Sequence, residues 1–223
     1  MTFPVVESAD GLARLVDQVG FLPFFRGKVP GLSVADVIRP DLWFTEAEGP
    51  WEWKGPVIRQ TGCAYGKFFH GKAGFVSRAW FPHFANYRRD GYDFDAAYED
   101  GKASFLEKRV YDTLAGEESM LSKTLRAAGG LTGEDKRGFE GTLARLQSRG
   151  YVVTVDFEYA LDRQGRPYGW GMARYATPER YFGEKFTQQV YACSPEESAR
   201  KILDHLELLV PGASEAQLGY ILG

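Results

Sequence analysis

The chain has 223 residues, of which 44% are hydrophobic and 26% are charged, and its formal net charge is −3 at pH 7. This composition is typical of a globular protein and excludes a chain too polar to form a core. The slight acidity argues against a protein that coats nucleic acid indiscriminately, and no apolar run approaches the ~20 residues of a membrane-spanning helix.

The first part of the chain predicts three helices followed by a hairpin. Apolar residues at helical spacing after capping residues predict helices near residues 10–19 and 33–38. Pro50, which suits the first position of a helix, predicts a third near 50–60 that Gly55-Pro56 would kink or interrupt. The apolar residues then change to a period of two, which is typical of β-strands. The strands of the predicted hairpin are Cys63–Phe69 and Ala73–Ser77.

The second part predicts the same order with longer helices. A helix is expected from Trp80 to about Tyr87, where Asp90-Gly91 ends it. The elements predicted after it are a long helix from Asp93 or Asp95 to Gly116, a shorter one at 119–128, a third at 133–149, and a hairpin of about 151–159 and 168–175. Capping signals at Ser194 and Ser214 predict a helical tail.

Three helices followed by a two-stranded hairpin is the order of a winged helix-turn-helix. Residues 93–176 fit it well, with the third helix as recognition helix and the hairpin as wing, and the first half fits more loosely. We therefore predict an α+β, mostly helical fold with two winged helix-turn-helix units in tandem. The predicted domains are an N-terminal winged-helix-like unit at 1–92, a winged-helix domain at 93–183 and a helical C-terminal tail at 184–223.

Residues 51–92 concentrate aromatic and basic side chains. Eleven aromatic residues stand there, with seven Lys or Arg against only Glu52 and Asp90, although the whole chain is acidic. Such a mixture suits a nucleic acid, because phosphates take the cations and bases stack on the rings. The alternative is an aromatic core with a solvated basic rim. The sequence leaves both interpretations open.

Four segments carry a resemblance to one bacterial family: WEWKGPVIR, AYGKFFHGKAGFVSRAWFPHFANYRRDGYDF, FEGTLARLQ and YGWGMARYATPE. They are similar to the AlkZ-related family, which shares the winged-helix build of the AlkZ and YcaQ DNA glycosylases. The resemblance implies tandem winged helices that bind double-stranded DNA. Those glycosylases remove alkylated or crosslinked bases with a Gln-x-Gln or Gln-x-Asp motif, and no glutamine of this chain has the required partner two residues on. The fold and DNA binding are therefore implied, and the catalytic motif is not.

A glycosylase without that motif would need another polar group beside the departing base. Glu52 is the best catalytic candidate, because it stands between Trp51 and Trp53 inside the basic aromatic stretch. The simpler interpretation is that its carboxylate pairs with Lys54, Arg59 or another nearby cation. Whether the chain catalyses any reaction is left open by the sequence.

The predicted nucleic-acid contacts come from two regions. Those in the basic aromatic stretch are Trp51, Trp53, Lys54, Arg59, Lys67, Arg88 and Arg89. Those in the second half are Arg137 and Arg145 on the recognition helix and Arg166 at the tip of the wing. Cations on a helix are also usual on any solvated face, whereas a cation at a wing tip can reach the minor groove.

The cysteines and histidines predict no metal site and no cofactor. Cys63 and Cys193 lie far apart in the sequence, which is typical of reduced thiols in a cytosolic protein. The three histidines are scattered. We therefore expect a cytoplasmic DNA-binding protein related to alkylation-repair glycosylases. The alternatives are a winged-helix transcriptional or ligand-sensing regulator and a non-catalytic protein-interaction module.

Overall fold

The structure, a computed structural model, describes residues 3–44, 48–132 and 138–223. Its helices are α1 (Ala9–Val19), α2 (Val34–Val37), α3 (Pro50–Thr61), α4 (Phe81–Arg89), α5 (Phe94–Glu99), α6 (Phe105–Ala115), α7 (Ser122–Ala128), α8 (Phe139–Ser148), α9 (Pro178–Phe182), α10 (Glu184–Val190), α11 (Pro195–Leu209) and α12 (Glu215–Leu222). Its strands are β1 (Phe21–Pro23), β2 (Ala64–Phe69), β3 (Lys72–Val76), β4 (Met120–Leu121), β5 (Val153–Leu161) and β6 (Pro167–Ala176). A 3₁₀ turn covers Pro40–Leu42.

Both predicted hairpins are confirmed, and they belong to one antiparallel sheet. Its strand order is β1-β3-β2-β5-β6-β4. The hairpins β2–β3 and β5–β6 meet where Tyr65 of β2 lies opposite Thr154 of β5. The sheet therefore joins the first half of the chain to the second, and the fold is a mixed one of helices around a six-stranded sheet.

The capping signals place most helix ends correctly. The Ser8 hydroxyl accepts a hydrogen bond from the Gly11 N–H at 3.2 Å and starts α1. Ser194 and Ser214 form capping boxes at α11 and α12, and Pro50 occupies the first position of α3. No helix in the described ranges is long and apolar enough to cross a membrane.

One predicted element is wrong: the long helix from Asp93 or Asp95 to Gly116 is two helices, α5 and α6. The chain turns at Gly101, whose φ is 71°. Ser104 then caps α6, with its hydroxyl 3.3 Å from the Glu107 N–H, while the Glu107 carboxylate accepts from the Ser104 N–H at 2.8 Å. Local backbone chemistry thus overrides the apolar periodicity.

Other departures from the predicted elements are smaller. The helix expected at 119–128 begins at Ser122, because Met120 and Leu121 pair with β6. The helix expected at 133–149 is observed as α8, and positions 133–137 lie outside the described residues. The sequence patterns do not predict β1, α9 or α10.

The core consists of two hydrophobic clusters. The first contains α1, α3, β1 to β3 and α4, and it also takes in Phe186, Ile202, Leu206 and Leu222 from the C-terminal helices. The second is formed within residues 94–175 and includes Tyr151. The C-terminal helices are therefore packed on the N-terminal half rather than on the segment that precedes them.

Candidate nucleic-acid interface

The basic aromatic stretch divides into a buried part and an exposed part. Five phenylalanines of β2, β3 and α4 are fully buried: Phe68, Phe69, Phe75, Phe81 and Phe84. Trp53 is also buried. These rings are core, as the alternative interpretation of the stretch proposes, and they are not available for stacking on bases.

The open aromatic surface is formed by Phe25, Trp43, Phe44, Trp51 and Trp170, called here the aromatic face. Trp51, at the start of α3, is its centre. Its ring centroid lies 5.4 Å from that of Trp43, 6.1 Å from that of Phe25 and 6.1 Å from that of Trp170. Phe44 is 91% exposed and Trp170 is 83% exposed. Exposed rings in such number mark a binding surface more often than an isolated exposed residue does.

A groove of about 340 Å³ runs along this face. Four of the five face residues line it, together with Arg26, Ala35, Ile38 and Pro40. Trp170, on strand β6 of the second hairpin, contacts Trp51 without lining the groove. The groove and the hairpin thus present flat rings from two separate parts of the chain.

Lys54 is the cation most closely associated with these rings. Its Nζ lies 4.5 Å from the Phe157 ring centroid and 5.4 Å from that of Trp51. Burial lowers the pKa of Lys54, and the neighbouring Glu52 carboxylate opposes that shift. The ammonium is held by ring faces, and it forms no ion pair with a described residue.

Other cations near the face are already neutralised. The Arg26 guanidinium pairs with Asp36 at 2.9 Å. Arg59, exposed on α3, pairs with Asp156 of β5. These pairs reduce the positive charge that the sequence assigns to this region.

Glu52 has a structural role at the start of α3. Its Oε2 accepts a hydrogen bond from the Gly49 N–H at 2.9 Å, which satisfies one of the free donors of the helix end. Its side chain forms no salt bridge with Lys54 or Arg59. Glu52 is exposed and lies beside Trp51, so a catalytic role remains a prediction.

Arg89 lies inside the fold, 1% exposed. Its guanidinium donates to Glu179 at 2.7 Å, to the Tyr191 hydroxyl at 2.9 Å and to the Gly150 carbonyl at 2.8 Å. Burial disfavours the charge on Arg89, but Glu179 and Tyr191 outweigh that effect, so its pKa is raised. A DNA phosphate has no access to this group in the described arrangement.

Arg88 on α4 and Lys67 on β2 are not among the residues that line the groove of the aromatic face. The Arg88 guanidinium donates to the Phe68 carbonyl at 2.6 Å and packs over the Phe84 ring, 4.9 Å from its centroid. Burial lowers the pKa of Arg88 to about 10. Lys67 is exposed on β2. Of the predicted contacts of the stretch, α3 therefore carries Trp51, the buried Trp53, Lys54 and Arg59, whereas Lys67 lies on β2 and Arg88 and Arg89 lie on α4.

The predicted contacts of the second half are also dispersed. Arg145 of α8 pairs with Glu107 at 3.3 Å, and Arg166 at the tip of the β5–β6 hairpin pairs with Asp162 at 3.0 Å. Arg137 lies outside the described residues. Arg163, next to Asp162 in the same turn, is exposed and has no salt bridge with any residue placed in the structure.

Sequence reasoning missed four of the five residues of the aromatic face. Phe25, Trp43 and Phe44 precede the basic aromatic stretch, and Trp170 follows it by almost eighty positions. Trp170 carried the best signal, since a large aromatic flanked by glycines in a predicted hairpin strand has few neighbours along the strand to cover it.

Comparison with known proteins gives one family. The profile of the family described as AlkZ related matches residues 6–223. No curated protein matches the chain. Among solved structures, the DNA glycosylase AlkZ of Streptomyces sahachiroi is similar, with a TM-score of 0.47 and 13% identity over 98% of this chain and 60% of that chain. This chain therefore spans less than two thirds of the length of that enzyme.

Proposed function

Because the chain belongs to the AlkZ-related family, we propose that it is a cytoplasmic DNA-binding protein with two winged-helix units, related to alkylation- and crosslink-repair glycosylases. The first unit would contain α1 to α3 and the hairpin β2–β3. The second would contain α6 to α8, with β5–β6 as its wing. The order of these elements supports the proposal.

The observation that carries the proposal is the contact between the two units at the aromatic face. Trp170 of the wing meets Trp51 of the first unit with ring centroids 6.1 Å apart, and most of the Trp170 ring is exposed. A base that has left its stack could insert beside this pair, because every base has a flat face that stacks on an aromatic ring. We therefore propose that the protein prefers DNA with an unpaired or unstacked base.

The charges of the region support stacking more than phosphate binding as the source of affinity. Arg26, Arg59, Arg145 and Arg166 each already pair with a carboxylate. Any phosphate contact by one of them would use a guanidinium whose charge is already offset by a carboxylate. The expected complex neutralises few phosphates, so its affinity should depend only weakly on salt.

Efficient base excision is not part of the proposal. The Gln-x-Gln motif of the resembled glycosylases is absent. Glu52, the alternative candidate, accepts a bond from the helix end at Gly49. Stabilising a departing base and its cationic sugar requires preorganised polar groups worth several kcal/mol.

The test measures fluorescence anisotropy of labelled duplexes that are fully paired or contain one unpaired base. We expect tighter binding to the second duplex. Trp170→Ala should weaken that binding about tenfold, because stacking on one ring contributes about 1–3 kcal/mol per base. The matched control is Leu208→Ala, which removes an exposed apolar side chain from α11, outside the aromatic face.

Two outcomes would contradict the proposal. Absence of binding to any duplex would favour the protein-interaction module. Binding that depends on the sequence, is the same with or without an unpaired base and is unaffected by Trp170→Ala would favour the transcriptional regulator.

A further inference from the structure

Cys193 lies among three polar side chains in the turn between α10 and α11. Its Sγ is 3.2 Å from the Ser198 hydroxyl, 3.9 Å from His83 Nδ1 and 4.0 Å from Lys201 Nζ. The thiol is partly exposed, and its neighbours Ala192 and Ser194 are exposed. A partly exposed sulfur beside a histidine and an ammonium group is the environment in which cysteines are reactive.

The hydrogen bonds around Ser198 define a path for the thiol proton. Asn86 Nδ2 donates to the Ser198 hydroxyl oxygen at 2.9 Å and to the Cys193 carbonyl at 2.8 Å. That oxygen can accept one more hydrogen, from the thiol, and its own hydrogen can go to His83 Nδ1 at 3.3 Å. In this arrangement the Ser198 hydroxyl links the sulfur to the imidazole.

His83 is suited to receive the proton. Burial lowers the pKa of His83, and the Lys201 charge lowers it further. The lowered pKa favours the neutral imidazole, and Nδ1 accepts in the tautomer that carries its proton on Nε2. A nucleophile within reach of a base that is itself held in place is the usual arrangement of an activated side chain.

Asn86 provides a second sign that the cluster has a function. It is 1% exposed, and its Oδ1 has no hydrogen-bond partner within the part of the chain that the structure describes. A buried polar atom without a partner destabilises the fold and is uncommon in proteins. Asn86 thus holds the Cys193 carbonyl and the Ser198 hydroxyl through its Nδ2, while its Oδ1 stays without a partner among the described residues.

We propose that Cys193 is a nucleophilic thiol and a covalent modification site for small carbon electrophiles, with Ser198 and His83 as its proton relay. The sulfur forms a bond to the electrophilic carbon while the bond from that carbon to its leaving group breaks, and the leaving group departs with that electron pair. The thiol proton passes to the Ser198 oxygen, and the hydroxyl proton passes to His83 Nδ1. The imidazolium then returns its proton to water.

The chain contains a matched internal control. Cys63 is fully buried, and burial raises the pKa of its thiol to about 12. It should stay unmodified in the folded protein. In urea both cysteines become ordinary exposed thiols, which gives a reference rate for each within the same chain.

The test follows alkylation by iodoacetamide at pH 7 with intact mass and peptide mapping. In the full folded chain we expect Cys193 to react at least tenfold faster than the same cysteine in the urea-unfolded chain. His83→Gln and Ser198→Ala should each slow the reaction about tenfold, and Ser198→Thr, which keeps the hydroxyl, should restore most of the rate. Cys193 reacting no faster when folded than when unfolded would overturn the proposal.

Lys201 gives a readout that a change in packing would not produce. Its ammonium group should attract an anionic reagent. The ratio of the iodoacetate rate to the iodoacetamide rate at Cys193 should therefore be higher in the folded chain than in the unfolded chain. Lys201→Gln should remove that preference, and it should slow the iodoacetamide reaction less than His83→Gln does. If the variants of the buried Ser198 fail to fold, His83→Gln still tests the proton relay, because His83 is only partly buried and its replacement should leave the fold intact. An unchanged rate in a folded His83→Gln protein would remove the relay from the proposal.

Discussion

The two hairpins of the sheet follow the same order of elements and have opposite surroundings. β2–β3 lies between β1 and β5, and its rings Phe68, Phe69 and Phe75 are fully buried. β5–β6 extends past the sheet, and Leu161 and Trp170 near its tip are largely exposed. The first hairpin is part of the core, whereas the second is buried only at its base, where β2 and β4 pair with it, and presents a surface near its tip.

The difference in burial between the hairpins decides which of their side chains can contact a ligand. A ring buried on all sides contributes to the free energy of folding and is unavailable to a ligand. Trp170 gains only its edge contact with Trp51 in the free protein, and with Phe25 and Phe44 it forms a cluster of exposed rings of the kind that marks a binding surface. The following changes test this contrast, beginning with the one expected to have the largest effect.

Phe69→Ala should cost about 3–5 kcal/mol of unfolding free energy, because it removes a fully buried ring and leaves a cavity. The comparison is Leu161→Ala in the other hairpin, expected to change stability by less than about 0.5 kcal/mol. Urea unfolding followed by circular dichroism measures both. Similar losses in the two variants would contradict the division into a core hairpin and a surface hairpin.

Arg89→Ala should destabilise the protein by about 3 kcal/mol, because it leaves the carboxylate of Glu179 without its buried partner. Arg89 also donates to the Gly150 carbonyl just before the second hairpin, and so ties α4 to that region. Arg163→Ala, at the exposed hairpin turn, is the control and should leave the unfolding free energy unchanged. A stable Arg89→Ala protein with weakened DNA binding would assign Arg89 to the interface instead.

Trp51 and Trp170 should be coupled by about 1 kcal/mol in a double-mutant cycle on stability, since their rings meet nearly edge to face. The cycle needs both single variants to alanine, the double variant and the parent protein. The same cycle for Trp51 with Leu161 should give no coupling. No coupling between the tryptophans would mean that the hairpin tip moves independently of the first half.

The salt dependence of DNA binding should distinguish exposed from buried arginines. Arg163→Ala should make the slope of log K against log[salt] shallower by about 0.9, the effect of one phosphate contact. Replacing Arg88 and Arg89 together should leave the slope unchanged, because their guanidinium groups are engaged inside the fold. Binding is compared at several salt concentrations with each protein checked for folding, and a shallower slope in that double variant would place them on the DNA.

The smallest expected effect concerns catalysis. Single-turnover assays on a duplex that contains a methylated purine should show no efficient base release, and Glu52→Gln should leave that result unchanged. Glutamine preserves the cap at Gly49, because its side-chain oxygen can accept the same hydrogen bond. Robust release that collapses in Glu52→Gln would give Glu52 the catalytic role.

Local signals predicted most elements, since capping and turn chemistry act over a few neighbouring residues. Ser8, Pro50 and Ser194 start helices where their capping chemistry indicates, and both hairpins are observed. The prediction of one long helix up to Gly116 was wrong because it rested on apolar periodicity alone. It took no account of the turn at Gly101 or of the capping box at Ser104. The resemblance to the AlkZ-related family is confirmed by the match over residues 6–223.

The sequence by itself determined most of the helices, both hairpins and an unusual concentration of rings and cations in residues 51–92. Only the tertiary structure decided which of those side chains can meet a ligand. Burial depends on contacts between distant segments: Glu179 encloses the charge of Arg89 from ninety positions away, and Trp170 joins Trp51 across the sheet. A composition pattern cannot contain that information, because the free energy of each side chain depends on neighbours that are adjacent only after folding.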